Sequence, residues 1–526
     1  MTFFLNLATN IVMSSIVRIR KNNQVYVYQS SSYWDKEKKA PRSRMTYLGR
    51  EDPSTKDITP PGKKWIPKSS RDYGNAFLLS KISNKIGLTE ILREAFPDDW
   101  QKLLACVFFE VSEGKPLYLC STWLESTYND LIERLPSQRI SELLKSVGEN
   151  ARARLEFSRL WKQKRRDDKF IVFDITSISS YSKLIESVEW GYNRDKEKLP
   201  QINFGLVFGQ PSLLPIFYNI YQGSIRDVST LQNILEFLGD FSLRNVTFIM
   251  DKGFYSTENI TEMKRKRLKF IIPLPFTVNE AKNLIGKHED DMIDVLNAFR
   301  INKDILYCVR DKIVIEQYSL NAYIYFDKRK KLEGEERLLK KIMEAEEKVE
   351  KRHFGQREKV KKYVSQNASD LKGFFEIRKV KGAFVLRRDK AKIDEAIRQM
   401  GYVIILSTRS MKNQELILLY RNKDCVEKCF DNMKNELSTN RLRVHSEEGM
   451  EGRLFVTFIT LILRSWIHKT MREKNLSKKY TLEEVMYEIK KLKIIELANK
   501  KKVLTESSKT QKELFKKIVN EIPKLQ

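Results

Sequence analysis

Two of the most apolar stretches of the chain, FIVFD and VTFIMD, each end in an aspartate, and no other feature constrains the fold as tightly. Short apolar runs of this kind read as buried strands. An acid directly after such a run is a poor packing choice, because an unpaired buried carboxylate is costly or simply stays protonated. Asp174 and Asp251 therefore belong where strands give way to polar chemistry. A third acid, Glu427, sits in LILLYRNKDCVEKCFDNMKNEL, where an amphipathic helix pattern meets polar residues. Hard divalent cations take oxygen ligands and favour clustered carboxylates. Two such ions about 4 Å apart activate a nucleophile and stabilise the leaving oxygen at a phosphodiester. The acids thus point to a metal-dependent enzyme acting on nucleic acid.

The charge balance points the same way. With 97 Lys and Arg against 69 Asp and Glu, the net charge of +28 calls for a polyanionic partner. At 526 residues with 41% hydrophobic content the chain can bury a large core, divided among three or so regions. Five scattered cysteines (Cys106, Cys120, Cys308, Cys425, Cys429) argue for a reducing compartment. Cys425 and Cys429 lie one helical turn apart, but no second Cys or His pair follows at zinc-site spacing, so they read as ordinary thiols. No apolar run reaches the roughly 18–20 residues of a membrane span. The opening MTFFLNLATNIVMSSIV lacks a basic n-region and a cleavage site; it reads as non-targeting, with Met13 an equally good start. A cytoplasmic protein with no membrane partner is expected.

Along the chain, residues 1–70 read as an N-terminal β module and linker, from the alternation in VRIRKNNQVYVYQSSSYW and a Pro, Gly and Lys-rich stretch from Glu51 to Ser70. Residues 71–165 take a helical pattern, expected to form a basic DNA-binding region, although a plain bundle fits the periodicity equally well. In 166–275, KFIVFD, INFGLVFG, LLPIFYNIY, NVTFIMD and LKFIIPLP read as strands, with VSTLQNILEFLGDF and TENITEMKRKR as helices. Three strands followed by alternating strand and helix is the order of a ribonuclease-H-like α/β domain. Residues 276–400 read as an insertion, with short strands and a long charged helical stretch. The second part of the core, 401–465, carries GYVIILSTR and the Glu427 helix. A basic helical tail, 466–526, closes the chain.

Taken as one helix, the stretch from Tyr420 to Lys434 places Tyr420, Lys423, Glu427 and Lys434 within a roughly 60° arc. Val426, Phe430, Met433 and Leu437 form a separate apolar stripe. One face can pack on a sheet while its edge offers a carboxylate flanked by cations, which would hold phosphate oxygens. The plainer reading is a surface helix with Lys–Glu pairs. Among the other acids, Asp195 and Asp431 sit in polar or helical contexts, and Asp227 reads as the cap of a helix beginning near Ser229. His288, His353, His445 and His468 are isolated; His445 suits a turn or a phosphate contact. Tyr181 and Tyr192 are expected in the core or at a sheet edge rather than free to stack on a base.

These residues together resemble insertion-sequence DDE transposases, in the branch marked by a Tyr-x2-Arg-x3-Glu-x6-Lys signature. The resemblance runs through VYVYQSSSYWDKEKKAPR, FDITSISSYS, GYNRDKEKLPQINFGLVF, LPIFYNIYQGSIRDVSTL, MDKGFYS, LLYRNKDCVEKCFDNMKNEL and LRVHSEEGMEGRLFVTFITLIL. It implies that Asp174, Asp251 and Glu427 are the catalytic, metal-binding triad. Tyr420, Lys423 and Lys434 fall on the signature's phosphate-contacting positions. The signature arginine falls on Lys423, with Arg421 two residues earlier; Lys keeps the charge but loses the bidentate fork.

The resemblance further implies a ribonuclease-H-like core interrupted by a β-rich insertion, and two Mg²⁺ ions, with Mn²⁺ a substitute. It also implies double-stranded DNA partners (terminal inverted repeats and target), a homodimer in the synaptic complex, and a nucleoid-associated prokaryotic setting. Cleavage at the element end would be followed by attack of the freed 3′-OH on target DNA. A nuclease without strand transfer and an inactive DNA-binding derivative would share the charge and the fold.

Overall fold

The computed structural model describes residues 14–22, 24–35, 37–60, 66–165, 169–193, 197–225, 246–380, 382–435 and 441–524. They divide into two compact units. The first comprises the described residues within Met1–Ile82, Ser121–Arg134 and Leu476–Gln526. Ser14–Lys21, Gln24–Asp35, Ala40–Glu51 and Ile58–Thr59 form an antiparallel four-stranded sheet there. The tail carries strands as well as helices: Lys493–Leu497 pairs with Pro67–Asp72 on one side and Lys502–Leu504 on the other. Its helices Leu482–Lys490 and Lys509–Ile518 both begin with a capping box, Thr481 with Glu484 and Ser508 with Gln511.

The second unit spans Ser83–Cys120 and Leu135–Asn475 and is built on a mixed ten-stranded sheet. Its strands are β1 (Phe170–Ser180), β2 (Gln201–Gln210), β3 (Pro215–Gln222), β4 (Thr247–Ile249), β5 (Lys269–Pro273), β6 (Ala298–Ile301), β7 (Asp304–Ile315), β8 (Tyr318–Phe326), β9 (Tyr402–Ser407) and β10 (Arg441–Leu442). The order across the sheet is β6-β7-β8-β9-β5-β4-β1-β2-β3, with β10 pairing the far end of β1. β1, β2 and β3 are antiparallel neighbours, whereas β4 runs parallel to β1 and β5 parallel to β4. β2 is buried at every position, and β1 at all but its first. Such strands need both faces covered, which explains their near-continuous apolar runs. Phe173, Phe248, Phe254, Met263 and Phe270 fill one face.

The first three strands of the 276–400 segment, β6, β7 and β8, extend this same sheet, whereas Phe375–Val380 and Ala383–Arg388 pair as a separate two-stranded sheet. DILYCVR and KIVI are a single strand, β7, turning into β8 at Glu316, which has a positive φ of 52°. The charged stretch that follows divides into Lys328–Lys351 and Arg357–Asn367. Leu338, Ile342, Ala345 and Val349 form a buried stripe, and a small core of their own gathers Val360, Val364, Leu371 and Leu386. Only the outer face, with i,i+4 pairs such as Lys340–Glu336 and Lys351–Glu347, meets solvent.

Helices cover the other face. α1 (Trp100–Glu113), α2 (Ser137–Glu149) and α3 (Ala151–Arg165) gather about the long helix α6 (Glu447–Glu473), which is buried along most of its length. Trp161 on α3 donates its indole N–H to the Pro215 carbonyl at 2.8 Å, and Phe458 on α6 packs on Tyr218 of β3. The buried Glu110 of α1 pairs with Arg453 of α6 and accepts from Thr460 Oγ1 at 2.9 Å. A charge buried to this extent persists only with such partners.

Where α2 crosses α6, glycines face backbone reciprocally. A Cβ on Gly452 would lie 1.9 Å from the Leu144 carbonyl oxygen, and one on Gly148 would lie 1.8 Å from that of Glu448. Gly452→Ala should force the helices apart and destabilise the protein by about 1–3 kcal/mol, the usual cost of overpacking. Gly355→Ala, with nothing within 4 Å of its added methyl, is the control. Thermal unfolding checks this; equal melting temperatures for the two variants would refute the close crossing.

Candidate active site

Asp174 is the fifth residue of β1 and is 5% exposed. Its Oδ1 accepts from the backbone N–H of Ile175 at 2.9 Å. Asp251 follows β4 and caps the turn Lys252–Phe254, accepting from the Lys252 N–H at 2.7 Å. The parallel register Phe170↔Thr247, Ile171↔Phe248, Val172↔Ile249, continued two residues, sets Asp251 level with Asp174 on neighbouring strands. The third acid comes from a helix: Glu427 lies in the first turn of α5 (Asp424–Asn435).

The single helix expected from Tyr420 to Lys434 is broken. α4 (Asn413–Arg421) ends at Arg421, Asn422 and Lys423 form a turn, and α5 begins at Asp424. The turn stays tight, with the Lys423 N–H bonded to the Tyr420 carbonyl and the Val426 N–H to the Lys423 carbonyl. Apolar periodicity continues across it, which is why the break is silent in the sequence. Lys423, within the turn, is buried at 5% exposure.

Lys423 Nζ stands 2.7 Å from Glu427 Oε1 and 3.2 Å from Asp251 Oδ1. Burial alone would lower its pKa, but the charge of Asp251, the hydrogen bond to Glu427 and the charge of Asp174 outweigh it and hold the pKa above the usual lysine range. One ammonium is thus the shared counter-ion of acids from β1, the end of β4 and α5. Beside it, burial pushes the Tyr420 phenol up to about 12, so the group stays protonated and able to donate.

Asp174, Asp251, Glu427, Tyr420 and Lys423 are therefore brought together, and Arg421 and Lys434 are not part of that cluster. Arg421 lines a cavity of about 360 Å³ with Asp304, Tyr325 and Lys330, which Tyr420 also borders. Lys434 lies in the last turn of α5, where its charge helps lower the pKa of Glu197, after that residue's hydrogen bond to Ser179 and its pairing with Arg441. Among the described residues, no three His, Cys, Asp or Glu side chains stand close enough to share one metal ion. The donor set nevertheless suits a hard cation: oxygen ligands from three elements already surround a positive charge.

Of the remaining candidates, Asp195, Asp227 and the VSTLQNILEFLGDF stretch lie outside the described residues. Asp431 is exposed on α5, and His288 bonds Asp311 at 2.8 Å. His445 is exposed and lines a cavity of about 440 Å³ with Lys145, Arg441, Arg443 and Arg453. Tyr181 and Tyr192, expected in the core or at a sheet edge, are instead 63% and 83% exposed, and Trp190 between them is 68% exposed. Sequence reasoning passed over Trp190; the signal was the tripeptide WGY, two rings flanking a glycine in a charged stretch.

Fold and site together define a mixed α/β protein with an acid cluster where Asp174, midway along β1, meets Asp251 just past the end of the parallel strand β4. Residues 165–463, more than half of the chain, match the family model described as the transposase DDE domain, and the chain belongs to that family. No curated protein matches it. Among solved structures, the cryo-EM piggyBac transposase synaptic complex with hairpin DNA is similar at a TM-score of 0.33 and 10% identity, over 79% of this chain and 69% of that one. No helix among the described residues is long and apolar enough to cross a membrane.

If Lys423 is the counter-ion that lets the acids sit together, Lys423→Met should destabilise the metal-free protein. The expected loss is about 1–2 kcal/mol, below that for a fully buried pair because Asp251 and Glu427 face solvent in part. Thermal unfolding in chelator measures it, and an unchanged melting temperature would mean the acids need no counter-ion.

Proposed function

We propose that this protein is a DNA transposase that cleaves the ends of an insertion sequence and joins them to target DNA by metal-dependent phosphodiester transfer. The observation that carries the reading is the convergence of Asp174, Asp251 and Glu427, from three separate elements, on one positive charge. The order β3-β2-β1-β4-β5, antiparallel through its first three strands and parallel from β1 to β5, supports a ribonuclease-H-like core beneath them.

In this reading Asp174, Asp251 and Glu427 hold two divalent cations, Mg²⁺ with Mn²⁺ as a substitute. Bound there, the cations supply an acidified water and neutralise charge on the leaving oxygen. The chain's own groups do the positioning. Asp174 is fixed by its strand and its bond to the Ile175 N–H, and Asp251 by the turn it caps. Lys423 competes with the cations for the same carboxylates and, once released from them, is a cation for phosphate oxygens. Tyr420, protonated, donates to a phosphate oxygen. The excess of Lys and Arg draws the duplex in, with an affinity that falls steeply with salt. Residues 71–165 and the basic tail 466–526 are the proposed DNA-binding regions, and a homodimer is the proposed synaptic form.

A hydrolytic nuclease would share the triad but not the joining step. Strand cleavage and transfer on a labelled oligonucleotide carrying the element's own end distinguishes the two. Wild type should cut and join in Mg²⁺, and Asp251→Asn should do neither while binding DNA as before. Cutting that survives Asp251→Asn would overturn the triad, and cutting without joining would leave a nuclease.

Competition between Lys423 and the cation gives a second test that does not depend on activity. Mg²⁺ should raise the melting temperature of Lys423→Met by more than it raises that of wild type. An equal gain in both would refute the competition.

A further inference from the structure

The segment between β1 and β2 holds a built display of aromatic rings that the chemistry above does not use. Its backbone is locked by buried polar groups. The Tyr192 carbonyl accepts from Gln201 Nε2 at 2.9 Å and Ser177 Oγ at 3.5 Å, and Asn193 Nδ2 donates to Ser179 Oγ at 3.1 Å. Glu189 and Gln201 exchange both backbone hydrogen bonds at 2.9 Å. Gly191 leaves no room for a side chain, since a Cβ there would sit 1.9 Å from the Gly223 carbonyl oxygen. Backbone contact at Gly191 leaves the rings on either side facing water. Neither Trp190 nor Tyr192 stacks on another ring among the described residues, although burying a large aromatic is the usual use of one.

Cations flank the display. Arg441 lies 5.1 Å from the centre of the Tyr181 ring, where Glu197 also holds it at 3.3 Å. Arg441 also borders the cavity of about 440 Å³ into which Arg443, His445 and Lys145 face. The anchor Ser177 is three residues beyond Asp174, roughly 10 Å along β1. Three being odd, its side chain leaves the opposite face of the strand from Asp174.

We propose that Trp190 and Tyr192 form a stacking platform for unpaired bases of a DNA strand leaving the acid cluster, with Arg441, Arg443, His445 and Lys145 taking its phosphates. Rings beside cations are the combination that binds single-stranded nucleic acid without reading its sequence, each stacked base contributing appreciably to affinity. This rests on the DNA reading above and adds to it a site for single-stranded DNA apart from the triad.

The test is equilibrium binding of three labelled probes: a duplex with a short single-stranded extension, the same duplex with that extension abasic, and the blunt duplex. Wild type should bind the base-bearing extension about ten- to a hundredfold more tightly than the abasic one. The double variant Trp190→Ala/Tyr192→Ala should lose that margin while binding blunt duplex as wild type does. Trp190→Phe/Tyr192→Phe, which keeps the ring faces, should retain most of it. Equal binding of base-bearing and abasic extensions by wild type would overturn the platform and leave the DNA reading standing. So would an alanine variant that keeps the margin, or one that loses all three probes equally. A wild type that binds none of the probes would remove the DNA reading itself, and the platform with it.

Discussion

Parallel pairing of β4 with β1 brings two carboxylates level on adjacent strands, and most of the second unit can be understood as a response to that. Strands in a sheet lie about 4.8 Å apart, so Asp174 and Asp251 cannot both carry charge there without compensation. The compensation has to arrive from outside the sheet, because the flanking strands are committed to apolar packing on Phe173, Phe254 and Phe270. It comes from the turn between α4 and α5, which delivers a cation and a third acid together, Lys423 and Glu427, four residues apart.

That turn is useful only if α5 is held still. α5 packs on β1 and on α6, and α6 is in turn fixed against α2 by the reciprocal glycine contacts at Gly148 and Gly452 and against α1 by the buried Glu110–Arg453 pair. The helices from the first third of the chain therefore have a structural duty toward the site whatever else they contact. Close glycine crossing and a buried ion pair are both intolerant of sliding: the first through sterics, the second because a displaced charge would be left uncompensated.

Much of this was legible in the sequence. FIVFD, INFGLVFG, VTFIMD and GYVIILS read as strands and are strands, because runs that dense in Ile, Val and Phe have no other good place to go. The same physics made the acids conspicuous. The helix break at Asn422–Lys423 was not legible, since Leu416, Val426, Phe430 and Met433 keep an apolar rhythm on both sides of it. Nor was the position of Lys423: a buried ammonium is stable only through acids that are 172 and 4 residues away in sequence, and a run of letters does not carry that distance. The exposed rings failed for the opposite reason. Tyr181 and Tyr192 follow a buried strand, where burial is the better wager for an aromatic, and for Tyr192 the backbone contact at Gly191 shows why it loses.

Lys423, at the position where the resemblance leads one to expect an arginine, can be judged on the same terms. A guanidinium would offer two parallel donors and hold one carboxylate or phosphate in a fixed plane. At this position the partners are two different carboxylates, Asp251 and Glu427, reached in different directions at 3.2 and 2.7 Å. A compact ammonium with three rotatable donors on a flexible stem satisfies that demand better than a planar fork does. An ammonium also has a stem that can change rotamer without carrying a rigid plane past its neighbours. A lysine here thus suits the proposed role, in which its partners would change as divalent cations take the acids.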